Sequence, residues 1–335
     1  MAAYKGIQGY SVQNLSSDPT ASEAEGQLWY NSTAGKFKIA VAGAGAWASG
    51  TAMSTTRQEA ATAQTAPTSA GQVAGGGGPG SLNDNTEQYN GSAWTEVADL
   101  NTAKFGQAGT GTQTAALSAG GFTTTWVAET EEWSGTSWAA SNNMSSAARF
   151  EMASAGTQTA ALISGGEGTP GSTPRAFTEK YDGTSWSEVN DLNQARYGLI
   201  GGGTQTAALA IGGNIGGPGA PSALVEEYDG TSWTTLPASL NTARGYAGAA
   251  VTTTENAIFF AGSTNPGTAL KANTESFNGT TWTEVGDIGT ARTFVNGSGT
   301  STSALCSGGG PGTGGGTATE EWSDPVYANK TVTVS

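Results

Sequence analysis

Six glutamates recur two residues ahead of an aromatic side chain: Glu87, Glu131, Glu179, Glu226, Glu275 and Glu320. Six bases recur at a matching interval: Arg57, Lys104, Arg149, Arg196, Arg244 and Arg292. Two kinds of chemistry are open to such a set. Carboxylates gathered around one axis would hold a hard cation, whereas a carboxylate facing the base of its own repeat would form a desolvated, charge-assisted pair. Alternation along an extended chain puts each glutamate on the same face as its aromatic neighbour. With one base available per repeat, the ion pair is the expected arrangement.

Other reactive side chains are sparse. The 335 residues include no histidine, which removes the usual general base, the Ser-His and Cys-His nucleophile pairs and the commonest transition-metal ligand. No catalytic, cofactor or metal site is expected, and enzyme chemistry of the copper-oxidase or sialidase kind lacks its residues. Cys306 is the single cysteine and sits in an apolar run, as a structural thiol does. Asp182 and Asp229, in "YDGTSW", belong to Asp-Gly hairpin turns that need no calcium to explain them. A net charge of −14 and a pI near 4.3 set the chain against phosphate backbones and anionic membranes, so nucleic acid is not an expected partner. The opening "MAAYKGIQGYSVQ" is not leader-like and no stretch reaches the length of a membrane helix; the expectation is synthesis in a host cytoplasm without membrane insertion.

The elements that must position these residues are written as a repeat. Trp47, Trp94, Trp138, Trp186, Trp233 and Trp282 stand 44 to 49 residues apart. About five residues before the later ones comes another aromatic: Tyr89, Trp133, Tyr181, Tyr228 and Phe277, with Trp322 as a sixth that no Trp follows. Apolar runs ending in glycines, such as "AALISGG", precede each pair. Each period thus holds four short segments rich in aromatic and β-branched residues and divided by Asn-Gly, Asp-Gly and Gly-Gly turns, which predicts four strands and no helix. A period of this length with four strands is a propeller blade. The fold class expected is all-β: a six-bladed propeller over residues 41–322, its last blade completed by the Trp47 strand so that no edge stays open. Small residues in the first strands ("GQAGTG", "ASAGTQ") predict a narrow, nearly filled axial channel, a poor place for a cofactor.

The glycine doublet, Glu-x-aromatic, Trp and opening Arg together resemble the kelch repeat, and the likeness runs from Trp47 to Trp322. It departs from that repeat in its poorly aliphatic third strands and its Gly-, Thr- and Ala-heavy loops. A second resemblance covers the start of the chain. "GQLWYNSTAGKFKI" is similar to a hairpin near the beginning of bacteriophage tail and appendage proteins, especially marine ones, and the "GTQTAAL" phrases also resemble those of phage kelch-like proteins. This resemblance implies a virion structural protein, in particular a tail-fibre or appendage component. Residues 1–40 would then be a docking arm using Leu28, Trp29, Tyr30 and Phe37, and residues 323–335 a separate tail. Its implied partners are other virion proteins, copies of itself in the particle, and a host-surface glycan or protein. A capsid decoration protein and a cellular kelch-type adaptor are the alternatives.

Loop geography completes the reading. The turns between strands one and two and between strands three and four share one face and repeat monotonously, whereas the loops between strands two and three all differ. Variable loops on a rigid scaffold carry recognition, which nominates Trp126, Arg175, Phe177 and Lys271 as binding residues on that face.

Overall fold

The structure, a computed structural model, describes residues 12–20, 24, 26–78, 81–168, 173–216, 220–265, 268–311, 315–324 and 326–333. The opening residues 1–11, read above for a leader, lie outside this range, as do parts of five of the variable loops. Among the described residues no helix is long and apolar enough to cross a membrane.

The chain divides into two compact units, residues 46–323 and residues 1–45 with 324–335. In the larger unit the described residues form six four-stranded antiparallel sheets, each in simple meander order. The first strands, at the axis, are Ala61–Thr62, Ala108–Thr112, Ala153–Thr157, Ile200–Thr204, Gly248–Thr253 and Asn296–Thr300. The third strands are Thr86–Tyr89, Thr130–Trp133, Thr178–Tyr181, Val225–Tyr228, Thr274–Phe277 and Thr319–Ser323. The outermost strand of the sixth blade is Ala46–Ser49, and its Trp47 lies opposite Trp322. The ring therefore closes by pairing across the full length of the unit, as the phase of the repeat predicts.

Side chains join the blades at two radii. Near the periphery, each outer Trp donates its indole N–H to the Thr that opens the third strand of the preceding blade. Five such bonds measure 2.9–3.1 Å, including Trp94 to Thr319 across the seam. The sixth is missing because Val225 replaces Thr, and the buried Nε1 of Trp282 has no partner. Closer in, the glutamines of the "GTQTAAL" turns, Gln113, Gln158 and Gln205, each donate to two backbone carbonyls of the preceding blade. The monotony of that face has a mechanical cause: its turns are interblade clamps.

The smaller unit corrects the expected division into an arm and a tail. The hairpin Leu28–Asn31/Lys36–Gly43 is flanked by Gln13–Leu15 on one side and by Val326–Thr331 on the other, so both chain ends build one four-stranded sheet. Pairing between segments some 300 residues apart leaves no local signal, which is why the alternating "YANKTVTVS" has no visible partner in the sequence. Asp18 accepts from Trp29 Nε1 (3.1 Å), Asn31 Nδ2 (2.6 Å) and Lys38 Nζ (2.9 Å). The hydrogen bond from Lys38 is the main reason its carboxyl drops to about 2.

Candidate functional site: the axial ring and the variable face

The repeat glutamates settle into structure. Arg57–Glu87 (2.6 Å), Arg149–Glu179 (2.9 Å), Arg196–Glu226 (2.9 Å), Arg292–Glu320 (2.7 Å), Arg244–Glu275 and Lys104–Glu131 (3.4 Å) are all buried pairs within one blade. Arg196 also donates to the carbonyls of Gly212 and Leu224, which end the second strand and lead into the third, and Arg57 and Arg292 repeat that pattern. The carboxylates accept backbone N–H groups besides, as Glu226 does from Asn193 and Glu179 from Ser145 and Ser146. Burial lowers the basicity of the Arg57, Arg149, Arg196 and Arg244 guanidinium groups, and the paired carboxylates oppose it. Each carboxylate is spent on the base of its own blade, so no cation site is built from them.

Two residues after each base the chain turns into the first strand, and there the structure departs from ordinary geometry. Glu59, Gly106, Glu151, Gly198, Tyr246 and Phe294 all have φ between +50° and +66°. Four of the six are not glycine, and each such residue costs on the order of 1–3 kcal/mol of backbone strain. A closed circuit of hydrogen bonds holds them. The N–H of each donates to the carbonyl of its counterpart one blade back, at 2.7–3.2 Å, and Glu59 closes the circle on Phe294. Glycine is required at two of the positions for a second reason. A Cβ on Gly106 would stand 2.6 Å from the Phe150 ring, and one on Gly198 would stand 2.8 Å from that of Tyr246.

This circuit surrounds a cavity of about 80 Å³ on the axis, lined by Glu59, Gln107, Glu151, Tyr246 and Phe294 among others. The small first-strand residues narrow the channel as expected, but it is not filled, and two carboxyl groups stand in it. Glu59 and Glu151 hydrogen-bond each other, and Tyr246 hydrogen-bonds Glu151. Burial pushes the Glu59 carboxyl up to about 8, with the charge of Glu167 adding to it. Burial likewise raises Glu151, with the charges of Glu59 and Glu167 contributing. Tyr246 and Tyr197 are raised by the same desolvation and by Glu151. Two acids facing each other can retain one proton between them at neutral pH. No residue of this site was nominated from the sequence; the signal available was the irregular series Glu, Gly, Glu, Gly, Tyr, Phe at one repeat position.

The variable face opens around this ring, since the loops between strands two and three lie at the same end of the blades. Trp126 is half-buried in an aromatic group. Its ring centroid is 5.9 Å from that of Phe122 and 6.4 Å from that of Phe150, with Phe105 beneath at 5.4–5.9 Å from both phenylalanines. Phe150 is the ring that covers Gly106, so this group adjoins the axial circuit. Phe177, also half-buried, lies between the guanidinium groups of Arg149 (5.8 Å) and Arg175 (5.9 Å). Arg175 donates to the Gly168 carbonyl and pairs through its backbone with Arg196. Lys271 lies two blades on, half-buried and bridged through its backbone to Arg292. The four nominated residues thus share a face but not one site: Trp126 belongs with the axial aromatics, Arg175 and Phe177 form a stack, and Lys271 stands apart.

The docking residues separate as well. Trp29 is 2% exposed and packs on Ala24, Ala40 and Leu15, so it forms the core of its own sheet and is not available as a contact. Phe37 is 48% exposed, against Tyr30 at 5.2 Å, and Leu28 is half-buried.

Among solved structures, the one described as "Structure of YjhT" superposes with a TM-score of 0.69 over 84% of this chain and 99% of its own, at 14% sequence identity. No protein-family sequence model and no curated protein sequence matches the chain. The likeness covers fold alone, and the architecture common to both is the kelch-type β-propeller.

Proposed function

We propose that this protein is a non-enzymatic structural component of a bacteriophage particle, a tail-fibre or appendage protein. In this reading the small sheet attaches it to neighbouring virion proteins and the variable propeller face meets a host-surface glycan. The observation that carries it is the distribution of unspent apolar surface. Among the described residues the large hydrophobics that stand exposed are Val12, Phe37, Ile215 and Val332, and three of these four belong to the smaller unit, in or next to its strands. Phe37 and Val332 are adjacent, since the N–H of Val332 donates to the Phe37 carbonyl at 2.9 Å. Exposed apolar side chains concentrated on a small unit suit attachment to another protein. The phage assignment itself rests on the "GQLWYN" and "GTQTAAL" resemblances.

Half-buried Phe122, Trp126 and Phe150 offer flat apolar faces of the kind that stack on sugar rings. The opposite face has its turn glutamines occupied by clamps, which leaves the variable face for recognition.

The test uses the double variant F37D/V332D, which leaves strand pairing and the propeller intact. Particles made with it should lack the protein while the purified variant keeps the wild-type melting temperature. Normal incorporation would refute the attachment role, and absence of the wild-type protein from purified particles would refute the virion assignment. W126A should reduce binding of particles to host cells without affecting incorporation.

A further inference from the structure

We infer that the axial cavity is a binding site for a hard divalent cation, best matched to calcium, with Glu59 and Glu151 as its anionic ligands and Gln107 as a neutral one. The inference goes beyond the proposed attachment and recognition roles and rests on different residues. The cavity presents more acceptors than donors, with the Tyr246 hydroxyl as the donor beside Glu151. Glu59 Oε2, Glu151 Oε2, Gln107 Oε1 and, deeper along the channel, Gln64 Oε1 are buried atoms with no hydrogen-bond partner. Gln107 is the most telling of them. It is 5% exposed, and its Nε2 donates to the Ala74 carbonyl at 3.0 Å, which fixes the amide with its oxygen left as an unused acceptor in the cavity wall. The other amide near the axis, Asn296 at the start of the first strand of blade six, has no such surplus: its Oδ1 accepts from the Ala60 N–H and its Nδ2 donates to the Ser307 carbonyl.

Charge points the same way. Each of the six repeat bases is committed to the glutamate of its own blade, so that set does not compensate the axial pair. The described residues contain no cluster of three or more His, Cys, Asp or Glu side chains suited to a metal. Two carboxylates, an amide oxygen and water must therefore make the shell. Calcium accepts such a mixture, since it takes 6–8 oxygens at about 2.3–2.6 Å in irregular geometry, whereas magnesium demands a near-ideal octahedron. The closed backbone circuit holds Glu59 of the first blade and Glu151 of the third at the axis whether or not an ion is present. The ion takes the place of the hydrogen bond that now joins them.

Full-length protein stripped with chelator and titrated with calcium chloride by calorimetry tests this. One ion per chain should bind, with a rise in melting temperature and a weaker response to magnesium. E59Q/E151Q should abolish binding, and Q107L, which keeps both carboxylates, should weaken it about tenfold. Absence of calcium binding by the wild-type protein overturns the inference, as does wild-type affinity in either variant. If E59Q/E151Q does not fold, Q107L decides. Attachment to particles is read independently of all three outcomes.

Discussion

The molecule uses glutamate in two ways, and the difference lies in whether the residue obeys the repeat. The six third-strand glutamates occur once per blade, each with a base within 3.4 Å and most with backbone N–H donors as well. Glu59 and Glu151 occupy a position that glycine or an aromatic fills in the other four blades, and they meet at the axis from the first and third blades in left-handed backbone conformations. A residue repeated in every blade solves a problem common to every blade, namely holding the start of the third strand to the entrance of the first. A residue that breaks the series cannot be serving that purpose. Its cost has to be offset by something particular to the ring as a whole.

The comparison can be broken most violently by making a regular glutamate resemble an axial one. Arg196→Ala would strand Glu226 in the core along with the carbonyls of Gly212 and Leu224, and should cost about 3–5 kcal/mol in equilibrium unfolding. A loss below about 1 kcal/mol would show that these pairs are decorative.

Blade two offers a milder, opposite test. Its base is Lys104, whose ammonium lies 3.4 Å from Glu131 and makes no hydrogen bond, so the second-strand and third-strand carbonyls lack the guanidinium clamp seen in other blades. Lys104→Arg should restore that fork and add about 1 kcal/mol of stability, measured by denaturant midpoint. The smallest effect concerns an irregularity at the periphery. Val225→Thr should give the Trp282 indole N–H its missing acceptor and stabilise the protein by about 0.5–1 kcal/mol, the lost methyl burial taking back part of the gain. Together these variants separate departures from the repeat that are mere defects, which repair improves, from those at the axis, where Glu59 and Glu151 are expected to matter for an ion.

Much of this was legible from residue spacing. Trp47 and Trp322 each lack their local partner in the sequence, and that gap alone predicts their pairing across the seam. The Glu-Arg pairing likewise follows from one base per period and the two-residue offset from an aromatic. Trp126 could be placed on the variable face but not in its aromatic group, because Phe105, Phe122 and Phe150 come from two blades and meet only where the blades converge. Trp29 misled for a related reason: an aromatic in a short hairpin looks exposed until Leu15 and Ala24, from the segment ahead of the hairpin, pack on it.

By itself the sequence determined whatever recurs: blade number, strand order, closure, the paired charges and the two unlike faces, all of which are local patterns repeated at a fixed interval. Only the tertiary structure decided what happens where the repeats meet. A ring brings residues about 45 or 90 positions apart to within contact at its centre, and the chemistry of Glu59 with Glu151 exists solely because the first and third blades converge on one axis.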